Sequence, residues 1–189
     1  VLTGGEEFSL RTRPGEDLLL VTRVHGRASV RLWVSVNGQR LAQRVQPAVP
    51  GRWLEVVTYV PAAQLTGNTT HIRIEAEISD PRAEAYQPYY HWAYQGAFAL
   101  PDEEPGDPVA TFGVGGAIRL LDYSLDVNPG SFEVSLTWLG DAPEAGDGIV
   151  FVHLYNSINA APVAQTVARP AGDTLPPGNW LPGTIRDVY

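Results

Sequence analysis

The feature that most constrains the fold is an alternation of apolar and polar side chains with a period of two. In residues 71–78 the apolar positions are Ile72, Ile74, Ala76 and Ile78, and the positions between them are His71, Arg73, Glu75 and Glu77. Residues 30–36 alternate in the same way. Successive side chains of a β-strand point to opposite faces, so this pattern indicates strands with one buried face. No segment keeps a helical period, and we predict an all-β fold.

The residues between the strands support the same fold class. The chain has 16 prolines and 19 glycines, which favour short strands joined by many turns. Asn37-Gly38 suits a type I′ turn, because both positions need a positive φ. The alternation slips at Leu120-Leu121, which predicts a β-bulge. Residues 18–21 and 149–155 have apolar side chains at both odd and even positions, so both faces of these strands are apolar. This is typical of central strands.

A proline-rich, acidic segment at residues 99–108 predicts a linker between two domains. We expect residues 1–98 to form a jelly-roll-like β-sandwich of the kind seen in carbohydrate-binding modules. We expect residues 109–189 to form a smaller Ig/fibronectin-like sandwich that is truncated, because its strand count falls short of a complete one. The two domains are expected to have separate cores.

The charge of the chain argues against nucleic acid as a partner. The formal net charge is −8, and the 13 basic residues are all Arg without a cluster. Neutralisation of phosphates supplies most nucleic-acid affinity, and this chain offers little of it. The longest run of aliphatic residues is 18–21, so we predict no membrane span within the chain.

Motifs for catalysis, metals and cofactors are missing from the sequence. There is no Cys, and the four histidines show no ligand spacing. We therefore predict no catalytic residue, no metal site and no cofactor. Glu75 and Glu77 fit a solvated strand face better than the carboxylate pair of a glycoside hydrolase. An acidic loop with Asp141, Glu144 and Asp147 fits a calcium site poorly, and His153 is expected in the core.

The aromatic stretch 86–98 is the one segment with a distinctive chemical implication. Aromatic rings stack on the C–H faces of sugars, and Tyr or His side chains beside them bind hydroxyl groups. Large size predicts that Tyr90, Trp92 and Tyr94 pack inward. Alternation then places Tyr89 and His91 outward as candidate glycan ligands, with Trp33 or Trp53 as the stacking ring. The alternative is that these rings only fill the core and the sheet edge.

Two sets of segments carry a resemblance to a known family. In the second half they are residues 118–123, 150–154, 163–165 and 180–187, and in the first half they are residues 18–23, 34–38, 50–55, 60–62 and 89–95. On these segments the chain resembles the extracytoplasmic C-terminal β-sandwich region of bacterial multi-pass membrane glycosyltransferases of the dolichyl-phosphate-mannose mannosyltransferase-like kind. Residues 156–162 depart from the Asp-Gly turn usual in that family.

The resemblance implies a non-catalytic accessory region in an extracytoplasmic location, periplasmic or at the cell surface, as part of a membrane-anchored parent. Such a region would bind or position glycan, or a partner, for the membrane enzyme. The resemblance carries over no catalytic residue. A second hypothesis is a protein-interaction scaffold without a small-molecule ligand, and a glycoside hydrolase is the third and least favoured.

Overall fold

The computed structural model describes residues 4–77, 86–98, 106–140 and 146–189, and these residues form an all-β structure. The chain divides into two compact units, Val1–Leu100 and Pro101–Tyr189. The division falls within the predicted linker, of which residues 99–105 lie outside the described residues. That each unit folds independently stays a prediction. The all-β class and the antiparallel sandwich architecture are confirmed.

The first unit contains seven described strands in two antiparallel sheets. The strands are β1 (Gly5–Arg11), β2 (Asp17–His25), β3 (Val30–Val36), β4 (Gln39–Gln46), β5 (Trp53–Val60), β6 (Thr69–Glu77) and β7 (Pro88–Gly96). One sheet has the order β1-β6-β3-β4, and the other has the order β5-β2-β7. Strand β2 is thus central, as its apolar run predicts. The jelly-roll-like connection of the strands stays a prediction.

The two sheets of the first unit share one hydrophobic core. Alternate residues of β2 and β5 are buried, and so are alternate residues of β3 and β6. Leu20 and Val56 from one sheet and Leu32 and Ile74 from the other belong to the same buried cluster. The alternation that predicted β3 and β6 is confirmed over the described residues, and Ile78 lies outside them.

The predicted turn after β3 is confirmed by its backbone. Asn37 has φ 50° and Gly38 has φ 82°, and the chain returns at once as β4. The side chain of Asn37 also ties this turn to its neighbours. Its amide nitrogen donates to the carbonyl oxygen of Gln64 at 3.0 Å, and its oxygen accepts from the amide of His71 at 3.0 Å. The turn therefore fixes the end of the β3–β4 hairpin against β6.

The second unit contains six described strands. They are β8 (Ala110–Phe112), β9 (Ile118–Asn128), β10 (Ser131–Gly140), β11 (Val150–Leu154), β12 (Ala164–Ala168) and β13 (Gly183–Val188). Four form a sheet in the order β13-β10-β9-β8, and β11 pairs with β12 in a separate sheet. The register shifts where Thr137 faces Asp122 and Trp138 faces Leu120, so Leu121 occupies the predicted bulge. Its likeness to an Ig/fibronectin domain and its truncation stay predictions.

The prediction that residues 149–155 form a central strand with His153 in the core is wrong. Strand β11 has β12 as its only partner among the described strands, and His153 is exposed. A strand with apolar side chains on both faces is usually covered on both faces. Here one face of the strand is open, and Phe151 on that face is 65% exposed. Nowhere in the described parts of the chain is there a helix with the length and apolar character that crossing a membrane requires.

Candidate functional site

The outer face of the sheet β5-β2-β7 brings aromatic side chains from two strands onto one surface. The register places Leu19 of β2 between Tyr59 and Tyr94, and it places Val21 between Val57 and Trp92. Because paired residues of neighbouring strands share a face, these residues lie together opposite the buried set Leu18 and Leu20. We refer to this surface as the aromatic face. Its aromatic members are Trp53, Tyr59, Tyr89, Tyr90, Trp92 and Tyr94.

Several rings of the aromatic face are open to solvent and touch one another. Trp53 is 52% exposed, Tyr90 is 55% exposed and Tyr94 is 54% exposed. Trp53 and Tyr89 contact each other across the end of the central strand, with ring centroids 5.1 Å apart. Tyr90 and Trp92 lie 5.0 Å apart by the same measure. Because large apolar side chains in contact are costly to leave in water, this patch has the character of a binding surface.

A single ion pair sits within the described part of the aromatic face and gives it polar groups. The guanidinium of Arg23 donates to Glu55 Oε1 at 2.5 Å and lies 4.8 Å from the ring centroid of Trp92. Arg23 and Glu55 therefore neutralise each other, and Trp92 is partly covered by a cation rather than fully available. The surface combines open rings, phenol hydroxyls and one neutral pair of charged groups. Such a mixture suits a neutral, hydroxyl-rich ligand.

The prediction that Tyr90, Trp92 and Tyr94 pack inward is wrong. In the register of β7 with β2, Tyr90 faces Arg23, Trp92 faces Val21 and Tyr94 faces Leu19, all on the outer side. His91 faces Thr22, and Gln95 faces Leu18, on the inner side. Side-chain size misled the prediction, because β7 is an edge strand and its inner side is not lined by the centre of the core. A register shift near Arg23 leaves Tyr89 exposed at the end of the sheet.

His91, one of the two residues predicted to bind glycan, lies between the two sheets instead. Its Nε2 lies 3.1 Å from Glu6 Oε2, its Nδ1 lies 3.1 Å from Thr22 Oγ1, and its ring stacks on Phe8 at 4.5 Å. Because a carboxylate only accepts hydrogen bonds, Nε2 is the donor to Glu6. Both ring nitrogens are used, and the side chain is 18% exposed. His91 therefore joins β7 to β1 across the sandwich.

Glu6 is the centre of this inter-sheet cluster. It also accepts a short hydrogen bond from the hydroxyl of Tyr86, which is buried. Burial on its own raises the pKa of Glu6, but the hydrogen bonds from His91 and Tyr86 outweigh it and hold the pKa below its ordinary value. The same burial, together with the Glu6 carboxylate, raises the pKa of Tyr86. Glu6 is therefore ionised at neutral pH while the Tyr86 hydroxyl keeps its proton, and the cluster has the character of a structural clamp.

The other three predicted site residues are divided between two surfaces. Trp53 and Tyr89 lie together on the aromatic face, as described above. Trp33 lies on β3 between the inward residues Leu32 and Val34, so it points out of the opposite sheet. The guanidinium of Arg40 covers its ring at 4.3 Å from the centroid. The structure therefore brings Trp53 and Tyr89 together and separates Trp33 from them.

Sequence reasoning missed Tyr59, Tyr90 and Tyr94 as surface residues. The apolar run of β2 could have indicated them. A central strand with apolar side chains on both of its faces has an apolar surface on its outer face as well as in the core. Leu19 and Val21 supply the aliphatic floor of the aromatic face. The outward residues of β2 have outward neighbours on β5 and β7, so Tyr59 and Tyr94 beside Leu19 could have been predicted to lie on the surface.

The acidic residues weighed for metal binding or hydrolysis are paired with arginines where they are described. Asp141 and Glu144 lie outside the described residues, and Asp147 accepts two hydrogen bonds from Arg169, at 2.5 and 2.9 Å. Glu75 pairs with Arg73 at 2.8 Å, and Glu77 pairs with Arg31 at 3.0 Å. Within the described ranges no group of three or more potential ligand side chains is placed to hold a metal ion.

Comparison with known proteins gives a faint likeness to a solved structure. No protein-family model matches the chain, and no curated protein matches it. Among solved structures the chain is similar to the EclA C-terminal domain, a sugar-binding protein, with 10% identity and a TM-score of 0.40. The likeness covers 49% of this chain and 69% of that chain. Similarity at this level does not transfer a function, so the functional case depends on the side chains of this chain.

Proposed function

We propose that the first unit is a non-catalytic glycan-binding module and that the aromatic face is its binding surface. The observation that carries the proposal is the cluster of open rings on one sheet face, with Trp53, Tyr89, Tyr90 and Tyr94 each about half exposed or more. Rings of this kind stack against the C–H faces of a pyranose. The phenol hydroxyls beside them supply hydrogen bonds to sugar hydroxyls.

The shape and charge of the face favour a neutral, extended saccharide. Residues two apart on a strand lie roughly 6.8 Å apart, so Tyr90, Trp92 and Tyr94 span about 14 Å along β7. That length accommodates more than one sugar ring. Arg23 is paired with Glu55, which leaves little net charge to attract an acidic polymer, and the chain as a whole carries −8.

The resemblance of the sequence to membrane glycosyltransferases supports a further proposal about the setting of this module. We propose that it belongs to an extracytoplasmic region of a membrane-anchored parent, where it holds glycan for the parent's transferase. The chemistry would then reside in the parent, and the module would raise the local concentration of its glycan. This setting depends on the resemblance alone, whereas glycan binding depends on the aromatic face.

A glycan array followed by calorimetric titration of the full chain tests the proposal. The panel contains neutral and acidic oligosaccharides of increasing length, and we expect binding to neutral ones that strengthens with length. The double variant Trp53→Ala/Tyr94→Ala should lose binding. Trp33→Ala is the matched control, since it removes the same ring type from the opposite sheet. This variant should bind oligosaccharide as tightly as the unmodified chain does.

The competing hypothesis of a protein-interaction scaffold predicts a different result. It requires that no oligosaccharide binds at millimolar concentration and that a protein partner is lost in the Trp53→Ala/Tyr94→Ala variant. Uniformly negative titrations would therefore overturn the glycan proposal. Binding that is lost only in Trp33→Ala would move the site to the opposite sheet and overturn it equally.

A further inference from the structure

The second unit is a sandwich of unequal layers. Its larger sheet has four strands, and the described strands opposite it are only β11 and β12. The buried apolar cluster consists of Leu120, Leu136, Trp138 and Trp180, with partly buried residues packed against it. A two-stranded layer is too narrow to cover a four-stranded sheet, because neighbouring strands lie only about 4.8 Å apart. Part of the apolar surface of the larger sheet is therefore left open.

An apolar cleft lies where the cover is missing. Its volume is about 470 Å³, within the range of sites that hold ligands. One wall is the inner face of the larger sheet, with Leu120, Leu136 and Trp138. Phe112 of β8 lines the same cleft and is 48% exposed. Among the described residues that line it, none is Asp, Glu or Arg.

The other wall of the cleft is the edge of β11. It is formed by residues 150–153 of the strand together with the two residues that precede it, 148 and 149. Alternate side chains of a strand point to opposite faces, so a wall made by consecutive residues is a strand edge with its main chain. Strand β11 pairs with β12 on its other side and with no further strand among those described. Its free amide and carbonyl groups on this side need hydrogen-bond partners.

Trp138, which lines the same cleft, has a polar group without a hydrogen-bond partner in the part of the chain that the structure describes. The residue is 5% exposed, and its indole nitrogen is buried without an acceptor among the described residues. The neighbouring Trp180, 6.0 Å away by ring centroid, donates its indole N–H to the carbonyl oxygen of Leu175 at 3.2 Å. A buried donor without a partner is uncommon in a folded protein. The indole nitrogen of Trp138 is itself enclosed, so the main-chain groups of β11, and not this donor, are what an occupant can reach.

We propose that the edge of β11 and the apolar cleft beside it form an acceptor site for an extended peptide segment of a partner chain, with apolar residues at alternate positions. The segment adds a strand to β11 and directs every second side chain into the cleft, toward Phe112, which is 48% exposed. This is recognition by β-strand addition, in which main-chain hydrogen bonds give affinity and alternate pockets give specificity. A lipid or a small apolar molecule would fill the cleft but leave the main-chain edge of β11 without partners.

Peptide binding to the full chain tests this site. The probes are peptides of about nine residues, long enough to cover the five residues of β11, with Val, Leu or Phe alternating with Thr. Matched peptides replace the apolar residues with Ser. Two further peptides carry N-methyl groups on alternate amides, one on each parity. Binding is followed by tryptophan fluorescence and by hydrogen exchange at the amides of residues 150–154.

We expect an alternating peptide to bind and to slow hydrogen exchange in β11, while its Ser counterpart binds at least tenfold more weakly. N-methylation of the alternate amides that face β11 should weaken binding at least tenfold. N-methylation of the amides that point away from β11 should not. Phe112→Ala should weaken binding, whereas Phe132→Ala, similarly exposed but outside this cleft, should not. Absence of binding across the alternating set, equal binding of both N-methylated peptides, or concentration-dependent dimerisation that protects β11 would overturn the proposal.

Discussion

The two outer faces of the first sandwich differ in chemistry although one core supports both. The outer face of the sheet β1-β6-β3-β4 carries paired charges such as Arg31–Glu77 and Arg73–Glu75, and its ring, Trp33, is covered by Arg40. The aromatic face carries open rings around one ion pair. Charges paired in solvent keep a surface hydrated, whereas open rings leave it ready to bind. This difference is the reason why we propose the aromatic face, and not the charged face, as the binding surface.

The largest expected effect tests which side of β7 faces the core and which belongs to the aromatic face. His91→Ala removes the clamp to Glu6 and leaves a largely buried carboxylate with fewer partners, so we expect a loss of about 2–3 kcal/mol in the free energy of unfolding. His71→Ala is the control, because His71 is exposed and bonds only Ser9 among the contacts described for its side chain. Urea denaturation measures both. If both variants lost the same free energy of unfolding, His91 would behave as a surface residue, and the assignment of the two faces of β7 would be wrong.

The second prediction uses the titration of Glu6. Its pKa is lowered in the folded state, because hydrogen bonds from His91 and Tyr86 outweigh the effect of burial. The clamp therefore contributes stability above the unfolded pKa of about 4.5, and that contribution is lost as the pH falls through the lower, folded value. We expect Glu6→Gln to flatten the fall in stability below about pH 4.5. An unchanged acid slope would contradict the clamp.

The third prediction separates stacking from hydrogen bonding on the aromatic face. Tyr94→Ala should weaken binding of a neutral oligosaccharide about tenfold, which corresponds to about 1.4 kcal/mol. Tyr94→Phe keeps the ring and should stay within about threefold of the parent, or about 0.7 kcal/mol. Calorimetric titration gives both values. If the Phe variant loses as much as the Ala variant, the phenol hydroxyl and not the ring surface holds the sugar.

The smallest effect is expected on the charged face. Arg31→Ala and Glu77→Ala remove an exposed ion pair, so each should change the free energy of unfolding by less than about 1 kcal/mol. Neither should change oligosaccharide affinity. Thermal denaturation and the same titration check this. A loss of affinity in either variant would show that the charged face takes part in binding and would remove the contrast between the two faces.

The sequence predicted those parts of the fold whose cause is local. The alternation in β3 and β6, the turn at Asn37-Gly38 and the bulge at Leu121 all follow from neighbouring residues. The parity of β7 did not follow, because large side chains occur at both parities and the deciding contact, His91 with Glu6, joins residues distant in the chain. For the same reason Trp33 and Trp53 were indistinguishable in the sequence, although they lie on opposite sheets.

The position of β11 was beyond sequence reasoning for a different cause. Apolar residues at both parities indicate burial on both faces, but they do not say whether the covering strand belongs to the same unit. In the described structure Phe151 is exposed and the edge of the strand faces the cleft. The pattern is the one expected of a central strand, and the strand addition proposed above would make β11 central.

The indole N–H resonances of the five tryptophans offer the most direct test of the central claim, that the aromatic face binds glycan. They are followed in a two-dimensional NMR titration of the full chain with the tightest neutral oligosaccharide. If the aromatic face binds glycan, the resonances of Trp53 and Trp92 shift progressively to saturation, whereas those of Trp33, Trp138 and Trp180 stay in place. Saturable shifts confined to Trp33, or binding detected by calorimetry without movement of Trp53 and Trp92, would contradict it.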